Sequence, residues 1–287
     1  MWWNQCRCFS SSADSIVRMA FDRFPATSPV SNVSPLVIGH GLFGSKRNWQ
    51  SLGKALQRQL GVDVYAIDFR NHGESPHRDE HSFSAMANDL AAFLEQIREE
   101  TNAHNFNLLG HSMGGIVMSH FALTAPNAHE LVNRFIVEDI APNRPISEST
   151  IPDFVRAMKR VDLRQSRKEI DHALKHDIPN ESIRQFLLMN LIQDEAMASA
   201  AWRWQINLDA IERSFDHVFR FTTYGHFDRP TLFLSGGNSN YIKPTDREPL
   251  KAMFPNATFY VIPDARHWIH TEQPKLFIEC VTNFLKV

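Results

Sequence analysis

Five residues, "GHSMG" from Gly110 to Gly114, set up a serine nucleophile. The stretch fits the pattern G-x-S-x-G and lies between an apolar run, "FNLL", and a helix-forming run, "GIVMSHFAL". In that context Ser112 occupies a sharp strand-to-helix turn, which only small neighbours permit. Gly110, Gly114 and Gly115 supply them. The same turn puts the Met113 N–H at a helix N-terminus, where a developing oxyanion is stabilised. A second amide is expected from the loop after "PLVIG", which reads "HGLFG". Leu42 N–H is the first choice there and Phe43 N–H the alternative. The serine needs a base, and the chain order Ser…acid…His places it after the last apolar strand, at His267 in "ARHWIH". His270 is the nearby decoy, and Arg266 is the bulky neighbour. A carboxylate must then orient His267 and offset its charge.

These residues need a frame that gathers strand ends. The runs "LVIG", "VYAI", "FNLL", "RFIV", "TLFL" and "FYVI" read as strands, separated by helices such as "RNWQSLGKALQRQLG" and "SFSAMANDLAAFLEQIREE". That alternation predicts an α/β fold with a mostly parallel central sheet, right-handed crossovers and helices on its flanks. Ligands then gather beyond the carboxyl ends of the strands. The reactive segments "HGLFG", "DFRNHG", "GHSMG", "ED" and "RHW" each follow such a run. Between residues 143 and 226 the text turns helical and polar, without strand runs: "IPDFVRAMKRV", "SRKEIDHALKH", "ESIRQFLLMNLI" and "AWRWQINLDAIERSF". The expected division is a core of residues 21–142 and 227–287, a helical cap of residues 143–226, and a tail of residues 1–20.

Composition narrows the function classes. At 287 residues, 43% hydrophobic and 22% charged, the chain is globular and long enough to bury a sizeable core. A net charge of −2 gives no basis for nucleic-acid binding. No apolar run is long enough to span a membrane. Cys6, Cys8 and Cys280 form neither a disulfide framework nor a zinc spacing, and no metal constellation or phosphate loop is visible. The first residues, "MWWNQCRCFSSSADSIVRMAF", combine serines and arginines with one acid, the composition of a mitochondrial transit segment or of a plain disordered tail. Asp68, Arg70, Asn71 and His72 read as structural support, with a buried Arg–Asp pair tying their loop under the nucleophile turn. Candidate pocket residues are Phe43, His111, Phe154, Phe186, Trp204 and Trp268; Trp202, Leu187, Met189 and Leu191 join them as cap residues that either line an acyl pocket or simply pack.

Together, "PLVIGHGLFGS", "DFRNHGESPH", "GHSMGG", "WRWQINLDAI", "LFLSGGNSNYI" and "HWIH" resemble the α/β-hydrolase superfamily. Within it they are similar to the α/β hydrolase domain-containing protein 11 family and its bacterial esterase relatives. The resemblance covers roughly residues 21–287. It implies an α/β-hydrolase fold with a helical cap and a cofactor-free serine esterase acting on short acyl esters or on glycerolipids such as diacylglycerol. It also implies a mitochondrial protein associated with lipoylated 2-oxoacid dehydrogenase complexes. The rival readings are a hydrolase-fold partner protein without turnover, and a thioester or carbon–carbon bond hydrolase.

The acid is the open question. Many α/β-hydrolases carry it in the loop that here reads "SGGNSNYI", whose Asn238, Ser239 and Asn240 are neutral. Asp246 follows, but inside the expected helix "PTDREPLKAMF", facing away. Asp139 ends the preceding strand, on the same sheet edge as Ser112, and is the leading candidate. Glu138 beside it must point to the opposite face. Asp209, in the cap, is the alternative.

Overall fold

The computed structural model describes residues 16–27, 33–145, 150–194 and 201–286. Packing starts inside the segment expected as tail. Val17 and Met19 are buried; the Val17 N–H donates to Asp89 Oδ1 at 2.8 Å, and the Ala20 N–H to Ser75 Oγ at 2.8 Å. Residues 1–15, most of that segment, lie outside the described residues.

Nine strands are described: β1 (Phe21–Phe24), β2 (Leu36–Gly39), β3 (Val64–Ile67), β4 (Phe106–His111), β5 (Val132–Glu138), β6 (Leu191–Gln193), β7 (Trp202–Trp204), β8 (Thr231–Gly236) and β9 (Ala257–Ile262). Seven form one sheet in the order β1-β3-β2-β4-β5-β8-β9, parallel except for β1, which pairs antiparallel with β3. Strands β2, β3, β4 and β8 are buried along their whole length. That is why they read as continuous apolar runs rather than alternating ones.

The core helices are α1 (Gln50–Leu60), α2 (Phe83–Thr101), α3 (Met113–Thr124), the short α4 (Ala128–Leu131), and, after the insertion described below, three that follow β8. In α1, Leu52 and Leu56 face the sheet, and Gly61 stops the helix in a left-handed conformation, φ 70°, its N–H bonding Gln57 O. In α2, Ser82 caps the N-terminus by accepting from the Ala85 N–H, and Met86, Leu90, Phe93, Leu94 and Ile97 make the buried stripe. Two apolar clusters, one on each sheet face, result.

Between β5 and β8 lies a third cluster, built from the cap. Its helices are α5 (Ile151–Arg160), α6 (Arg167–Leu174), α7 (Glu181–Leu188), α8 (Leu208–Arg213) and α9 (Phe215–Arg220). The reading of this region as free of strands needs correcting. Strands β6 and β7 pair antiparallel, Leu191 opposite Trp204 and Gln193 opposite Trp202. The sequence "WRW" puts two aromatics on one face of a short strand, and the helix starts only at Asn207, whose side chain accepts from the Ala210 N–H. The chain closes with α10 (Arg247–Met253), α11 (Ile269–Glu272) and α12 (Pro274–Leu285).

Candidate active site

Ser112 sits between β4 and α3 with φ 50° and ψ −116°, a backbone conformation that costs a non-glycine residue energy. Close contacts hold the turn. A Cβ on Gly110 would lie 2.5 Å from Gly114 O, and one on Gly114 would lie 2.7 Å from Gly39 O. The Ser112 N–H donates to Glu138 O at 2.9 Å, and the Gly114 N–H to His40 O at 3.1 Å. The serine is thus pinned to both strands that flank β4.

The serine hydroxyl meets His267. Ser112 Oγ lies 3.0 Å from His267 Nε2, and His267 Nδ1 lies 2.8 Å from Asp139 Oδ2. Asp139 is fully buried and also left-handed, φ 51°, with its N–H donating to Leu234 O at 2.8 Å. The loop that lacks a carboxylate supplies donors to this one. Gly236 N–H reaches Asp139 Oδ1 at 3.1 Å, and the Ser239 hydroxyl reaches Oδ2 at 2.5 Å. Tyr241, from the same loop, stacks on the His267 ring with centroids 4.0 Å apart. The other carboxylates are engaged elsewhere. Asp209 is 66% exposed and pairs with Lys159 at 2.6 Å. Asp246 pairs with Arg144 and accepts from the Lys243 N–H.

Glu138 points to the opposite side, as strand alternation requires. Its Oε1 accepts from the His270 N–H at 3.0 Å and from His270 Nδ1 at 2.8 Å. His111 donates from Nε2 to His267 O at 3.0 Å, since a carbonyl can only accept. Burial drives the ionisation of this group: it pushes Glu138 up to about 7, and both His111 and His270 down to about 3. The two imidazoles are therefore neutral at pH 7. Ligand-capable atoms of His111, Glu138 and His270 lie within 4.8 Å of one another, a grouping their sequence spacing does not reveal. His111 Nε2 and His270 Nδ1 are committed to protein acceptors.

No described residue accepts a hydrogen bond from the Leu42, Phe43 or Met113 N–H, and Phe43 is left-handed at φ 63°. All three residues line an apolar cavity of about 310 Å³ above Ser112. Phe43, His111, Phe154, Phe186 and Trp268 are in its wall, as is Leu187. Trp204 is not, and its assignment is corrected: its indole N–H donates to Met158 O at 2.9 Å, locking the ring into the cap cluster. The sequence reading missed Tyr241, Phe215 and Phe219. Phe215 and Phe219 stand one helical turn apart in α9, a spacing that signals a shared face but not which side it covers.

Arg70 is also paired differently from the expectation. Its partner is Asp89 of α2, with Nε–Oδ2 at 2.7 Å and Nη2–Oδ1 at 2.9 Å, both residues buried. Asp68 instead accepts the Lys46 and Glu74 N–H groups at 2.6 and 2.8 Å. Burial raises its carboxyl to about 6. A Cβ on Gly73 would fall 2.2 Å from Asp68 Oδ2, so only glycine fits there.

The sequence profile described as alpha/beta hydrolase fold matches residues 34–274. The chain is 38% identical over 257 residues to a mouse (Mus musculus) protein named sn-1-specific diacylglycerol lipase ABHD11, covering 87% of this chain and 80% of that one. It is 32% identical over 258 residues to Esterase YbfF of Escherichia coli (strain K12), covering 88% and 94%. A solved structure titled marine microorganism esterase superposes with a TM-score of 0.83 at 36% identity, covering 93% of this chain and 99% of that one.

Proposed function

The chain belongs to the alpha/beta hydrolase fold family, and from that premise we propose that it is a serine carboxylester hydrolase acting on acylglycerol-type or short acyl esters. The observation that carries the reading is the continuous line of hydrogen bonds from Ser112 Oγ through His267 to the buried Asp139. Ser112 attacks the acyl carbonyl as its proton passes to His267 Nε2. Asp139 holds the imidazole in the tautomer with Nδ1–H and offsets the imidazolium charge. The oxyanion takes the Met113 N–H and one from the Leu42–Phe43 turn, Leu42 first. His267 returns the proton to the leaving alcohol, an acyl-enzyme remains, and a water activated by the same histidine releases the acid. The apolar cavity accommodates the acyl chain.

The names of the relatives, a diacylglycerol lipase and an esterase, support an ester substrate. Ser112→Ala abolishes ester turnover and labelling by a serine-directed phosphonate. Labelling that persists in that variant would overturn the proposal, and a wild-type chain without esterase activity would favour a partner protein lacking turnover.

Mitochondrial residence and association with 2-oxoacid dehydrogenase complexes are further proposals, supported by the N-terminal composition and the resemblance. Residues 1–20 fused to a reporter test the first, and co-purification of lipoylated subunits with the tagged chain tests the second. A cytosolic reporter, or a pull-down free of lipoyl groups, would sink them respectively.

A further inference from the structure

The turn that offers the second oxyanion amide is held from two sides. Residues 41–44 form a β-turn, closed by the Gly44 N–H donating to Gly41 O at 2.9 Å. Phe43, its third residue, is left-handed at φ 63°, a conformation that favours glycine and costs a larger residue energy. Such a turn persists only where its surroundings fix it. At its start, the Gly114 N–H donates to His40 O at 3.1 Å and ties it to the nucleophile turn. At Phe43 the holding group comes from the cap. Asn190 Nδ2 donates to Phe43 O at 2.8 Å, from 147 residues further along the chain. The Phe43 side chain is buried as well, and it packs in the cap's apolar cluster rather than in either core cluster.

Asn190 is itself firmly placed. It is buried at the junction of α7 and β6. Its N–H donates to Leu187 O at 3.0 Å, and its carbonyl accepts the Gln205 N–H at 2.7 Å. Gln205 O accepts in turn from His77 Nε2 at 2.9 Å, which seats this part of the cap on the core. Asn190 Nδ2 also reaches Leu187 O at 3.3 Å. Both partners of that nitrogen are carbonyls, which can only accept, so the side chain must turn its amide donors toward the turn.

We propose that Asn190 is a positioning residue for the oxyanion hole, setting the 41–44 turn so that its free amide meets the oxyanion forming at Ser112. The inference rests on the ester-hydrolase reading above. The Leu42 and Phe43 N–H groups find no acceptor among the described residues, and a donor aimed at developing charge counts most when it is fixed beforehand. Asn190 does not line the cavity over Ser112. Its loss therefore falls on the transition state and leaves substrate binding in place. Acylation and deacylation both pass through an oxyanion, so the two steps slow together and KM stays.

The test compares Asn190→Leu and Asn190→Ala in the full chain with Trp204→Phe, a change in the neighbouring strand of the cap that removes a hydrogen bond far from the turn. Each is assayed on one butyrate ester and titrated with 1,1,1-trifluoro-2-octanone and with 2-octanone. The trifluoro ketone adds Ser112 Oγ to its carbonyl carbon; the serine proton passes to His267, and the carbonyl oxygen becomes an oxyanion in the hole. The plain ketone binds without that charge. In both Asn190 variants kcat falls by about 10- to 100-fold with KM within about twofold, since displacing a donor costs part of what removing it does. The inhibition constant of the trifluoro ketone rises by the same factor as kcat/KM falls, and that of 2-octanone stays. Trp204→Phe keeps kcat within about twofold. An unchanged kcat, a loss carried by KM, a trifluoro ketone that binds as tightly as before, or an equal loss in Trp204→Phe overturns the assignment. A wild-type chain that hydrolyses no ester and forms no ketone adduct defeats the ester-hydrolase reading itself, a result distinct from all of these.

Discussion

The Ser239 hydroxyl and Asp139 are joined by a 2.5 Å hydrogen bond to Oδ2, the carboxylate oxygen that also takes His267 Nδ1. The loop expected to carry an acid has become the loop that solvates one. Removing that donor concentrates the Asp139 charge on His267. Ser239→Ala therefore lowers kcat by roughly three- to tenfold with KM little changed. Steady-state ester hydrolysis checks this, and an unchanged kcat would remove Ser239 from the account.

The acid itself is separable from its rival. Asp139→Asn keeps the size of the side chain but removes its charge, and reduces kcat on the order of 10³-fold or more. Asp209→Asn breaks an exposed pairing with Lys159 and leaves the rate within about twofold. Loss of rate in the Asp209 variant with the Asp139 variant active would reverse the assignment.

Two aromatics of the cap region part ways in the same manner. Phe154 lines the apolar cavity, so Phe154→Ala shifts the preference among esters of graded acyl length toward longer chains. Trp204 bonds Met158 O from within the cap cluster, so Trp204→Phe lowers stability by about 1 kcal/mol and leaves the chain-length profile in place. Denaturant melts beside the substrate series separate the two.

Below the site, the buried Arg70–Asp89 pair is costly to break from one side. Asp89→Ala removes both carboxylate hydrogen bonds from the buried guanidinium and unties the Val17 N–H, lowering stability by about 3–5 kcal/mol. A melt showing less than 1 kcal/mol would contradict the pairing.

Acid should unfold the protein through its histidines. Burial holds His40 down to about 4 and His111 and His270 to about 3, and lowers His72 and His81 well below the ordinary imidazole range. Groups with depressed folded values stay neutral in the fold and take up protons on unfolding. The stability they contribute is complete above about pH 6.5 and declines as pH falls toward 3. Glu138 at about 7 and Asp68 at about 6 work in the opposite sense, favouring the fold at low pH. With His120 also lowered by burial, the depressed imidazoles outnumber the two raised carboxyls, so unfolding takes up protons on balance near pH 5. Unfolding free energies measured from pH 7 to 5 should fall, and a flat or rising profile would refute the sign.

How much of this was legible beforehand follows from physical range. The strand ends, the nucleophile turn, His267 and Asp139 were readable because chain order and strand alternation are local and periodic. The placement of β1 was not, since "FDRF" carries no apolar run, and it lies at the sheet edge with only Phe24 buried. Trp204 was misplaced because its hydrogen-bond partner is Met158, distant in the chain. Arg70 was expected to pair within its loop, and only helix packing brings Asp89 to it. Tyr241 carries no signal within its loop, because its stacking on His267 depends on how two loops from different strands meet.

The registry of two strands has a last consequence. Ser112 and Asp139 each follow directly on a paired position, His111 opposite Glu138, in adjacent parallel strands. Their separation is therefore a lattice constant of the sheet, fixed by the spacing of backbone hydrogen bonds rather than by any loop. Insertions in the cap change who is admitted without stretching the distance from Asp139 to Ser112. Ser112 and Asp139 ride on the paired strands of the sheet, while much of the wall of the apolar cavity is lent by the cap.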